Sequence, residues 1–116
     1  MPSLESRIPT IRQMDIIQSA WDKIRAQLET EKARIYDVIV NYPPPIAACD
    51  QQFNYLLEER TRISRELDRL NKSSTANIPI EDSIKLIDEF IRSSSYVYPE
   101  TEQTIQSYLE AGLSQL

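Results

Sequence analysis

The sequence predicts an all-α fold: a long antiparallel helical hairpin plus two shorter helices, four-helix-bundle-like. Three features of the 116-residue chain carry this. Apolar residues recur at alternating gaps of three and four over two long stretches. Prolines fall where helices begin, and the single glycine, Gly112, falls near the end. No glycine-bearing hairpin turn occurs, so the strand signal is poor.

The first helix is placed at 10–41. Thr10-Ile11-Arg12-Gln13 reads as a capping box, with Pro9 just outside it. Its seam runs Met14, Ile17, Trp21, Ile24, Leu28, Glu31, Ile35, Val38 and Tyr42, a coiled-coil-like heptad broken once by Glu31. The second helix, 45–71, starts with Pro45 at its first position and repeats the pattern in Ile46, Cys49, Phe53, Leu56, Arg60, Ile63, Leu67 and Leu70. Here the break is Arg60. Cys49 falls on the seam and reads as a small core residue.

Pro43-Pro44-Pro45 cannot continue a helix. Folding the chain there pairs seam positions whose numbers sum to 91, so that Tyr42 meets Cys49, Val38 meets Phe53 and Trp21 meets Leu70. Glu31 then meets Arg60, which predicts a partly buried ion pair that fixes register. A turn-rich linker is expected over 71–78. The third helix, 79–94, carries Ile80, Ile84, Ile87 and Ile91 behind Pro79, with Glu81 and Asp82 at the positive end of its dipole. The fourth, 99–111, begins Pro99-Glu100 and is expected to end on Gly112 as a left-handed C′ residue. The chain is read as a single helical domain over 1–116, with the hairpin at 10–71 and two short acidic helices at 79–111.

The short helices are about half as long as the first, so part of the hairpin needs another cover. At one end Ile11, Met14 and Ile17 outrun the second helix, just beyond Trp21 where the pairing stops; at the other, Tyr36, Ile39 and Val40 widen the apolar face. Tyr96 and Tyr98 flank Val97 and either cap the core or face a partner. These nine residues are the interface candidates. They predict a homo-oligomer, most simply a two-fold dimer.

Charge narrows the partners. Residues 1–42 and 46–72 are each neutral, and 73–116 carries the whole net charge of -5. With an acidic last third and no basic cluster, neither nucleic acid nor a membrane surface is an expected partner. Met1 to Thr10 lacks the apolar core of a signal peptide, and no run is long enough to span a bilayer, so a cytoplasmic protein is expected. Asn71-Lys72-Ser73 fits a glycosylation sequon and is read as polar linker.

Absences exclude most familiar chemistry. The chain has no histidine, so Ser/His/Asp and Cys/His sites and HExxH zinc sites are unavailable. One cysteine makes no disulfide or CxxC knuckle, and one glycine makes no phosphate-binding loop. No cofactor or metal is expected. The charged stretch from Glu58 to Arg69 reads as a solvated helix face.

Within residues 50–67, Leu56-Leu57-Glu58-Glu59-Arg60 follows the acidic Asp50 in a continuing helix. This run resembles the long helix of all-helical chorismate mutases. The resemblance covers about a sixth of the chain and implies that Arg60 grips a substrate carboxylate. The family's downstream lysine falls on Asn71 here, and its upstream arginine on Pro43. The function expected from the residues themselves is a non-catalytic, self-associating helical interaction or assembly module. The alternative is a small chorismate-mutase-like enzyme or anion-binding bundle using Arg60.

Overall fold

The computed structural model describes residues 10–113. Four α-helices occupy them, with no strand among the described residues: α1 Ile11–Val40, α2 Gln51–Ser74, α3 Ile80–Ser93 and α4 Pro99–Leu113. α1 opens on the capping box. Thr10 Oγ1 accepts the Gln13 N–H at 3.1 Å, and Gln13 Oε1 accepts the Thr10 N–H at 2.9 Å. Its 30 residues make a rod about 45 Å long.

α2 starts later than Pro45 suggests, because Asp50 is the stronger start signal. Its carboxylate accepts the Phe53 N–H at 2.9 Å, satisfying a donor that a proline at the first position leaves free. Residues 43–49 therefore form the connection, with a cis peptide between Pro44 and Pro45. Cys49 is exposed in that connection and does not pack in the seam. At its other end α2 runs to Ser74, taking Asn71, Lys72, Ser73 and Ser74 of the expected linker into the helix.

The later start slides the register. Tyr42 packs edge-on against Phe53, with ring centroids 5.0 Å apart, and Arg25 Nη2 donates to Asn71 Oδ1 at 3.1 Å. Paired numbers thus sum to about 95 in place of 91, one step along the seam. Leu28 becomes level with Leu67 and Ile24 with Leu70. A slide of one seam step still sets most apolar positions on apolar ones, as with Leu28 and Leu67, so the core forms; Glu31 and Arg60 no longer face each other.

α3 returns antiparallel to α2, placing Phe90 edge-on to Trp21 with centroids 5.7 Å apart. The Arg69 guanidinium sits 4.3 Å from the Phe90 ring centre, and its Nη1 donates to Ser93 Oγ at 2.6 Å. α4 then runs back along α1. Thr101 Oγ1 donates to Gln27 Oε1 at 2.9 Å, and Lys23 lies over the Tyr108 ring. Gly112 is inside α4 and has no left-handed backbone, contrary to the expected stop. A Cβ there would lie 3.1 Å from Ile16 Cδ1, so the missing side chain serves the close approach of α4 to α1.

Trp21, Ile24, Leu28, Ile35, Ile63, Leu70, Ile87 and Ile105 form the fully buried centre. The molecule is elongated, 69 × 22 × 19 Å. α3 and α4, with 14 and 15 residues, are only about 21–23 Å long. They cover the half of the hairpin that runs from Ile16 to about Glu31, and the other half projects beyond them.

Candidate functional site

The projecting end is where apolar surface collects. Six of the eight large apolar side chains exposed among the described residues lie on or beside it: Tyr36, Val38, Val40, Ile46, Tyr55 and Tyr98. These side chains gather at one end of the molecule, with Tyr36 and Val40 on one face of α1 and Val38 on another. Val40 is 78% exposed and Tyr55 52%, although both sit on ordered helices. Ile39, half-buried, packs against the core cluster beneath them.

The connection at this end is pinned. The Tyr42 hydroxyl donates to both Asp50 carboxylate oxygens at 3.0 and 2.9 Å. Burial and then this bond to Asp50 push the Tyr42 hydroxyl above the ordinary phenol range. The Phe53 N–H holds the Asp50 carboxyl below its usual range, against partial burial and with help from Tyr42. A folded-state value below the unfolded one means the cap stabilises the fold above the unfolded pKa and loses that contribution as pH falls through the folded value. Asp50→Asn is thus expected to flatten the decline of thermal stability below about pH 4, measured by circular dichroism melts. An unchanged acid limb would contradict this role.

Glu31 is buried, as its place on the seam requires, but its partner is in its own helix. Arg34 Nε lies 3.0 Å from Glu31 Oε2, an i,i+3 pair, and no ion pair joins Glu31 to Arg60. The slid register removes the cross-seam partner, and Arg34 reaches the carboxylate from half-exposed solvent. The Tyr98 hydroxyl faces the same carboxylate; burial first, then Glu31, raises it above the usual phenol range. Glu31, Arg34 and Tyr98 make a polar rim where α4 begins.

Two interface candidates are internal. Trp21 is 2% and Tyr96 3% exposed. Trp21 is covered by α3 through Phe90, and the Tyr96 hydroxyl donates to the Glu59 carbonyl at 3.3 Å. At the far end of α1, Ile11 and Met14 are exposed and Ile17 is half-buried. Met14 and Ile17 line a small cleft there with Ile78 and Ile80.

Sequence reasoning missed Glu66, which it placed on the solvated face. It is buried and ties down the α3–α4 connection: Ser94 Oγ donates to Oε1 at 2.5 Å and the Ser95 N–H to Oε2 at 3.3 Å. Ser94 Oγ in turn accepts the Tyr96 N–H at 3.1 Å. The only sequence signal was spacing, since Glu66 adjoins the seam residue Leu67.

Arg60 is half-buried. The buried charged side chains of the described residues are Glu31 and Glu66, both carboxylates. Neither offers an anion the convergent cations it needs. Among the described residues no three His, Cys, Asp or Glu side chains are grouped so as to hold a metal ion, and no helix is long and apolar enough to cross a membrane. Comparison with protein-family models, curated proteins and solved structures finds no match for this chain.

Proposed function

We propose that the chain is a non-catalytic helical interaction or assembly module, which self-associates as a homodimer and offers its projecting hairpin end to a protein surface. The observation that supports this is the concentration of exposed apolar side chains on helices that α3 and α4 do not reach. Leaving such a patch in water costs roughly 25 cal/mol per Å², so a partner that covers it is stabilising. The exposed, unpaired Cys49 suits a reducing, cytoplasmic setting.

The test is a pair of substitutions on one turn of α1, Tyr36→Ser with Val40→Ser. Both side chains are exposed, so the melting temperature is expected to stay within about 2 °C of the parent. By light scattering at about 100 µM the parent is expected to weigh as a dimer and the variant to shift toward the monomer. A parent that is monomeric at that concentration, or a variant of unchanged mass, contradicts the proposal.

A further inference from the structure

α2 carries a second stripe besides its buried seam. Arg62, Arg65, Arg69 and Lys72 follow at gaps of three and four, and all four are exposed. The neutrality of 46–72 conceals this ridge, because the fold withdraws acids from it. Asp50 is spent in the helix cap and Glu66 is buried under Ser94 and Ser95. Glu59 and Arg60 are both half-buried, which leaves Glu58 and Asp68 exposed against four exposed cations. None of the four makes an ion pair with a carboxylate among the described residues. Arg69 uses the Phe90 ring and the Ser93 hydroxyl, and Arg62 approaches Tyr96; Arg65 and Lys72 are exposed.

The complementary surface is on the same chain. α4 contains Glu100, Glu102 and Glu110 and no lysine or arginine. Glu100 and Glu110 are exposed and form no ion pair. The nearby cation on α1, Lys23, is drawn over the Tyr108 ring. Ten residues separate Glu100 from Glu110, as they separate Arg62 from Lys72, so each pair spans about 15 Å of helix.

Resting on the reading that the chain self-associates, we propose that the exposed basic ridge of α2 docks on the acidic α4 of a second copy. A nucleic-acid backbone is the poorer occupant. Four cations neutralise at most four phosphates, and the rest of a chain of net charge -5 repels them.

The experiment is sedimentation velocity on the full chain at about 200 µM, in about 50 mM and about 500 mM salt. Two charge-reversal variants are compared, Arg65→Glu with Lys72→Glu, and Glu100→Lys with Glu110→Lys, each checked for parental helicity by circular dichroism. The parent dimer is expected to weaken about tenfold at the higher salt, and each variant to weaken at least about tenfold at the lower. An equimolar mixture of the two variants is expected to associate again, since reversed faces then meet reversed faces. Parental dimerisation that ignores salt and both reversals, or a mixture that fails to restore it, overturns the proposal. If such a dimer is still lost on Tyr36→Ser with Val40→Ser, the ridge has failed while the hairpin-end module stands. A monomer under every condition overturns both. Binding of poly(U) RNA at about 150 mM salt that is lost in the α2 variant reassigns the ridge to phosphate, and also overturns the proposal.

Discussion

Trp21→Ala is expected to destabilise the fold by about 3–5 kcal/mol, lowering the melting temperature by about 15 °C or more. Trp21, on α1, lies edge-on to Phe90 of α3 within the buried core and is almost wholly buried. Alanine would forfeit both the transfer free energy of the indole and its packing, and neighbours on rigid helices close little of the cavity. Ile11, on the same helix, is 80% exposed. Ile11→Ala should therefore stay within about 0.5 kcal/mol of the parent. Denaturant melts of the two variants check the contrast, and comparable losses would mean that α3 does not cover Trp21.

Glu66→Ala is expected to cost about 2–4 kcal/mol, although the residue lies in a run that reads as solvated surface. Its carboxylate receives the Ser94 hydroxyl and the Ser95 N–H inside a part-buried connection. Removing it strands both donors and frees the Ser94 oxygen that positions Tyr96. Glu66→Gln keeps one acceptor oxygen for Ser94, so about half of the loss should return. Equal stabilities of the parent and the alanine variant would show that the connection is held without it.

The central seam positions were legible because burial imposes a period, whereas Met14, Val38, Ile46 and Cys49, expected on the same seams, are exposed. Ile24, Leu28, Ile35, Leu56, Ile63, Leu67 and Leu70 are all buried as their spacing requires. The register was not legible from that period alone, since most apolar positions of two heptads also mesh one step apart. What decides it is local: Asp50 caps α2 and fixes where its first turn begins. Pro45 could as well have started a helix, but its ring supplies no acceptor for the free N–H groups. Arg34 replaced Arg60 as the partner of Glu31 for a related reason. An i,i+3 neighbour needs no particular register to reach its partner.

Of the candidate site, the half-length cover was legible from helix lengths, and it places Tyr36, Ile39 and Val40 at the projecting end. The division of the remaining candidates was not. Nothing in sequence told Tyr96, folded under Glu59, from Tyr98, exposed two residues later beside Glu31. Nor could counting charges reveal the ridge on α2, since two of the acids that cancel it on paper, Asp50 and Glu66, are held in a cap and a buried bond.

Amide hydrogen exchange at two protein concentrations, about 10 µM and about 500 µM, tests most directly whether the projecting end is an association surface. Amides of residues 35–57 are predicted to be the least protected helical region at the lower concentration and to gain protection at the higher. Those around Trp21–Leu28, already covered by α3 and α4, should not change. Protection of the hairpin end that is equal at both concentrations would contradict its use in self-association.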